Sequence, residues 1–330
     1  MKKFLTLALA AVMTLTLLAG CGDSGTPAGS GSNAPAGGNL IFTTGGETGT
    51  YYAFGGVIAQ DVTANTPTTV TAISSDGSKA NVLLLKSGDA QLGFCQSDVM
   101  AYAYNGTSTF ADTSAYTEFS TVANLYMEQV QIVTCDPDIK TVADLKGKTV
   151  SIGASGSGVY YNALDILAAY DLTESDINAQ YQDFGNSADA LQDGKIDAAF
   201  VVAGAPTVAI TTLATAKDTY LVGLDDEHIA KLKEASPYYE EYTIPEGTYE
   251  GVPETKTVAV SAVVVARDDV SEEDVYNIVY TIFENMDNIA QSHDKGKELN
   301  LDFAAGVTAV PYHPGAAKYF AEKGYDVPTK

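Results

Sequence analysis

Two short stretches have the residue types to hold an anion. They are Gly45-Gly46-Glu47-Thr48-Gly49-Thr50 and Ala154-Ser155-Gly156-Ser157-Gly158. Each stands between a short apolar run and a stretch with helical spacing. A helix N-terminus offers unpaired N–H groups and a partial positive charge, and glycine lets a ligand come close to the backbone. Thr48, Gly49, Ser155, Gly156, Ser157 and Gly158 are therefore candidate binding residues. One such loop alone reads equally well as a plain strand–helix turn; two at equivalent positions of a repeat favour a ligand. Neither loop contains GxxxxGK[ST] or GxGxxG, so nucleotide binding is not indicated. Three more segments end apolar runs: Ser74 to Ser78, Gln96-Ser97-Asp98 and Gly204-Ala205-Pro206. Ligands of open α/β sheets sit beyond the carboxyl ends of strands. That adds Ser75, Ser78, Gln96, Ser97 and Gly204, while Asp98 is read as a helix cap. In the pairs Tyr51-Tyr52 and Tyr160-Tyr161, one ring each should pack in the core and the other should reach the ligand.

These loops recur because the chain repeats itself. Phe42 to Ala59 aligns with Ser151 to Ala168 at an offset of 109, placing Gly49 on Gly158 and Tyr51-Tyr52 on Tyr160-Tyr161. Ser87 to Phe94 aligns with Asp193 to Phe200 at an offset of 106. Two pairs at nearly one offset imply two similar halves. Strands are expected at 40–43, 69–73 and 91–95, then at 149–153 and 198–202. Helices alternate with them, one from Ser78 to Lys86 closed by Gly88, one capped by Asp98, one capped by Ser157, one with Pro206 in its first turn. Strands alternating with helices imply mostly parallel sheets. Glu128 to Thr134 and Thr257 to Ala266 are extended runs bracketing the second repeat, read as two crossover strands. Ser271 should cap a return helix, and Pro314 to Lys323 a last helix stopped by Gly324. The expected plan is α/β with two lobes, 39–128 plus 263–330 and 129–262.

The start of the chain is read differently. Met1-Lys2-Lys3 followed by uncharged Phe4 to Ala19 is an export-signal pattern, shorter than a spanning helix. Leu18-Ala19-Gly20-Cys21 matches a bacterial lipobox, which would make Cys21 the lipidated first residue of the mature protein. Residues 1–20 are then a signal peptide, and 21–38, rich in Gly, Ser, Pro and Ala, a flexible linker. The whole chain carries 18 basic and 42 acidic residues and a net charge of −24, and loss of Lys2 and Lys3 takes the balance to about −26. That excludes nucleic acid and anionic membrane surfaces as partners. Arg267 is the one arginine. Cys95 and Cys135 are expected to be buried thiols, with a disulfide left open. His228, His293 and His313 are scattered, so no metal site and no cofactor are expected.

Several segments resemble one family. Thr44 to Tyr52 (TGGETGTYY) resembles TGGTGGTYY, Ser87 to Asp98 (SGDAQLGFCQSD) resembles SGEADLGFVQSD, and Asp144 to Gly158 (DLKGKTVSIGASGSG) resembles DLKGKRVSVGAPGSG. Asp193 to Thr207, Ile244 to Gly251 and Tyr312 to Gly324 follow in the same order. These are motifs of the TAXI family of TRAP-transporter solute receptors. The resemblance implies a type II periplasmic-binding-protein fold, a small carboxylate ligand such as glutamate or a dicarboxylate, and delivery to TRAP membrane subunits. One departure is Ser74 to Ser78 (SSDGS) where the family commonly has TGGS; Asp76 argues against a doubly anionic ligand. The expected protein is a monomeric, lipid-anchored receptor at the outer face of the cell membrane, without catalysis. Other readings are the binding protein of an ATP-driven importer, a dehydratase-type enzyme on this fold, and a surface sensor.

Overall fold

The computed structural model describes residues 37–330. The signal segment, Cys21 and the linker up to residue 36 lie outside the described residues. The first half-repeat runs β1 (Asn39–Thr43), α1 (Thr50–Asn65), β2 (Thr69–Ile73), α2 (Ser78–Ser87), β3 (Leu92–Gln96) and α3 (Ser97–Asn105). The long strand β4 (Phe119–Thr134) leads to the second: β5 (Thr149–Ser151), α4 (Val159–Ala169), β6 (Asn178–Gln180), α5 (Phe184–Gln192), β7 (Ala198–Ala203) and α6 (Val208–Ala216). Then come β8 (Tyr220–Leu221), α7 (Asp226–Ala235), β9 (Glu240–Ile244) and the second long strand, β10 (Thr255–Arg267). Four helices return along the first half: α8 (Glu272–Glu284), α9 (Met286–Ser292), α10 (Leu301–Ala304) and α11 (Pro314–Glu322).

The strands hydrogen-bond in the order β2-β1-β3-β10-β4-β7-β5-β6, with β8 beside β4 and β9 beside β10. The duplication is visible in that order. β2-β1-β3 is parallel with antiparallel β10 at its inner edge, and β6-β5-β7 is parallel with antiparallel β4 at its inner edge. The two inner strands pair with each other from Ala259↔Gln129 to Arg267↔Phe119, so one sheet runs through both lobes. β4 and β10 are buried along almost their whole length, as expected of strands covered on both faces. Apolar side chains collect separately on either side of the crossing. Phe42, Phe54, Phe94, Val264, Ile282 and Tyr319 belong to one cluster. Val130, Val150, Ile166, Phe200 and Val258 belong to a second, and Leu191, Val201, Leu213 and Tyr249 to a third.

Some local expectations change. The first crossover strand starts at Phe119 rather than Glu128. Ser78 is the first residue of α2, not its cap; Gly77 is the N-cap, at φ +102°, and Ser78 Oγ accepts the Gln96 N–H at 3.1 Å. Asp98 lies inside α3, whose N-cap is Gln96. Pro206 precedes the N-cap Thr207 and is not in the first turn of α6. Ser271 caps α8 by accepting the Asp274 N–H, and Gly88 closes α2 in the left-handed region. Both cysteines are free, Cys95 buried and Cys135 half-buried.

Candidate functional site

The repeat brings its loops to one place. A cavity of about 60 Å³ lies between the lobes. It is lined by the starts of α1 (Gly49, Thr50, Tyr51), α2 (Gly77, Ser78), α4 (Ser157, Gly158, Val159) and α5 (Asp183, Phe184), and by Gln96 and Glu128 from the strands. Three of these four helices begin on a glycine N-cap with no side-chain cap: Gly49, Gly77 and Gly158. By contrast, α5, α7, α8 and α11 are capped by Asp183, Asp225, Ser271 and His313. A side-chain cap is worth about 1 kcal/mol. Helices α3, α6 and α9 also lack a side-chain cap; what sets α1, α2 and α4 apart is that their glycine N-caps lie in the cavity wall, with first-turn N–H groups that no N-cap side chain meets. At α4, Ser157 Oγ takes one of those groups, the Tyr160 N–H at 3.2 Å, so it acts partly as the cap read from the sequence.

The loops are held by buried Asn81, which is fully engaged. Its Oδ1 accepts from Thr43 Oγ1 (2.7 Å) and Ser75 Oγ (2.6 Å), and its Nδ2 donates to the Thr44 and Phe94 carbonyls. Ser75 Oγ also accepts the Gly77 N–H at 3.0 Å. The Ser75 hydroxyl thus shapes the loop.

Of the residues selected from the sequence, Gly49, Tyr51, Ser75, Ser78, Gln96, Ser157 and Gly158 line the cavity. Thr48, Tyr52, Ser97, Ser155, Gly156 and Gly204 lie outside its wall. Several of these join the lobes instead. The Gly156 carbonyl accepts the Ala80 N–H at 2.9 Å, the Gly204 carbonyl accepts Thr50 Oγ1 at 2.9 Å, and the Thr48 carbonyl accepts the Ala209 N–H at 3.3 Å. Ser155 is exposed, Tyr52 is 36% exposed, and Ser97 Oγ accepts the Ser261 N–H. Tyr51 serves both expectations at once: its ring stacks on Phe94 at 4.5 Å and its hydroxyl reaches Glu128 at 2.7 Å. Tyr160 bonds Glu174, and Tyr161 accepts from Lys79 Nζ at 2.7 Å.

Sequence reading missed Glu128, Asp183 and Phe184 as wall residues. Glu128 is 2% exposed, and burial pushes its carboxyl up to about 8, against the lowering effect of the Tyr51 hydrogen bond. Its one advance signal is an acid inside the apolar run of β4. Asp76 and Asp183 are exposed residues of the wall, and none of the described wall residues is Lys or Arg. Lys295, itself buried, is paired with Glu298 at 2.5 Å. Among the described residues no His/Cys/Asp/Glu group could hold a metal ion.

A match to a family profile extends over residues 42–324. The chain belongs to the NMT1-like family. Among solved structures it is similar to a protein of Bordetella bronchiseptica RB50, at 15% identity over 86% of this chain and 88% of that one, with a TM-score of 0.54. It is also similar to the alkanesulfonate-binding protein SsuA from Xanthomonas axonopodis pv. citri bound to MOPS, at 16% identity over 88% and 91%, TM-score 0.49. The GluR0 ligand-binding core from Nostoc punctiforme in complex with L-glutamate matches at 14% identity over 78% and 99%, TM-score 0.47. The fold of this NMT1-like protein is that of type II periplasmic binding proteins, two lobes joined by two crossover strands.

Proposed function

We propose that this NMT1-like protein is an extracytoplasmic solute receptor, without catalysis, that closes on a small carboxylate and hands it to a membrane transporter. The observation that carries this reading is the convergence of three helix starts on glycine N-caps at one cavity between the lobes. Backbone N–H groups there can hold a carboxylate through charge-assisted hydrogen bonds, without an arginine. In this reading the lobes are 39–128 plus 263–330 and 129–262, the binding residues include both those in the wall and those that seal it, and Cys21 carries a lipid anchor. An ATP-driven importer is the partner we put first and a TRAP transporter second. Some structural neighbours belong to ABC-type import systems, such as a ligand-binding component from Staphylococcus aureus, whereas the TRAP reading rests on sequence motifs.

Calorimetry of purified protein against amino acids, 2-oxo acids, dicarboxylates and alkanesulfonates tests the ligand class. A carboxylate should bind, and its amide or methyl ester should bind at least tenfold more weakly. An uncharged analogue that binds equally well sinks the anion reading. Cys21→Ala should release the protein from the membrane fraction; retention like wild type refutes the anchor.

A further inference from the structure

A buried hydrogen-bond chain crosses from one lobe to the other beside the cavity. From lobe 2, Asn162 Nδ2 donates to Asp98 Oδ2 of lobe 1 at 2.9 Å and to Tyr239 OH at 2.8 Å. Tyr239 OH donates in turn to Asp165 Oδ2 at 2.9 Å. Asn162 Oδ1 accepts from Gln96 Nε2 of lobe 1 at 2.9 Å. Asn162, Asp98, Gln96 and Tyr239 are each at most 2% exposed.

The carboxylates at the ends set the direction of every bond in this chain. An ionised carboxylate only accepts. Asp165 therefore accepts the hydrogen bond of the Tyr239 hydroxyl, and Tyr239 must accept from Asn162. Asp98 likewise requires the amide nitrogen of Asn162. That leaves Asn162 Oδ1 to face Gln96, and Gln96 must present its Nε2. The consequence falls on the other end of the Gln96 amide. Gln96 lines the cavity, and its Oε1, buried against Gly158, has no hydrogen-bond partner among the described residues. An unmet acceptor of this kind is costly unless a donor reaches it.

We propose that Asn162 is a positioning residue for ligand selection: on lobe closure it fixes the amide of Gln96 so that Oε1 accepts a hydrogen bond from the ligand. The ligand then carries an N–H or O–H donor besides its carboxylate. Plain mono- and dicarboxylates lack that donor and leave Gln96 Oε1 unpaired in the closed state. The inference rests on the carboxylate reading given above. It adds that closing and donor recognition are one event, because Asn162 and Gln96 belong to different lobes.

The test compares wild type, Asn162→Ala and Gln96→Leu by calorimetry on pairs that differ in one donor. The pairs are L-glutamate with glutarate, L-malate with succinate, and L-lactate with propionate. Wild type should bind the donor-bearing member of at least one pair at least tenfold more tightly than its partner. Both variants should lose that preference, chiefly through weaker binding of the donor-bearing member. A merely structural role for Asn162 would weaken both members by the same factor, and that result overturns the proposal, as does a wild type without preference. Thermal melts in the absence of ligand establish that each variant is folded. If no carboxylate of any pair binds wild type, the carboxylate reading fails first and this inference falls with it.

Discussion

Glu128 is the residue where burial and chemistry conflict most. Its carboxyl sits on the crossover strand against the cavity, with Tyr51 donating to it, Asp98 raising it further and Lys295 acting weakly the other way. Its native value of about 8 lies above the ordinary 4.5. The stability it contributes by holding a proton is complete below about 4.5 and is lost as pH rises to about 8. Asp98, raised to about 6 mainly by burial, completes its own change lower down. Between pH 6 and 8 the decline therefore belongs mostly to Glu128, at roughly 1.4 kcal/mol per pH unit at most. Glu128→Gln should flatten the unfolding free energy across that window by on the order of 2 kcal/mol. Urea unfolding of both proteins at pH 6, 7 and 8 measures it, and parallel curves would show that Glu128 does not hold the proton.

At the scale of elements, the glycine starts of α1, α2 and α4 leave three helix ends without a cap side chain at the cavity wall, the surface on which the proposed receptor would bind. Gly49→Asp would supply the missing side-chain acceptor to the N–H groups of Tyr51 or Tyr52 and set a negative charge on the cavity wall. Ligand affinity should fall at least tenfold. Stability should change by less than about 1 kcal/mol, since the cap's gain is offset by a new Cβ 3.2 Å from the Gly46 carbonyl oxygen and 3.3 Å from the Phe184 ring. Calorimetry with a thermal melt separates the two effects, and unchanged affinity would show that this helix start does not meet the ligand. Much of this arrangement was legible beforehand. The 109-residue offset places Gly49 on Gly158, and the structure puts both residues at helix starts on one cavity. What escaped were partners from other elements. Asp98 reads locally as a cap, because nothing near it in sequence reveals that Asn162, 64 positions away, will arrive against it. Glu128 looks like one more strand residue until the lobes meet over it. Ser78 precedes helical spacing as a cap would, yet Gly77 takes that place because the backbone there turns to φ +102°.

For the whole molecule, the described state is closed. The Gly156 carbonyl meets the Ala80 N–H, and Gln96 packs over Gly158 so tightly that a Cβ there would fall 1.5 Å from its Oε1. Solution scattering should show a smaller radius of gyration with saturating ligand than without it. Gly158→Ala should keep its fold and fail to compact; full compaction of that variant would mean that the closed packing at Gly158 is not required. The two crossover strands decide how such a motion can proceed. β4 and β10 are hydrogen-bonded to each other through the crossing, with register shifts at Ala262/Val263 and Val264/Val265. Bulges of this kind concentrate bending in a strand. A paired ribbon is compliant to flexing out of its plane and stiff to shear within it, so a lobe motion about this crossing would follow essentially one coordinate, as a door leaf does and a ball joint does not. A ligand one methylene too long cannot be accommodated by sliding one lobe sideways. In the proposed receptor it would prop the leaf ajar, converting solute size into an angle that a membrane partner could read without touching the cargo.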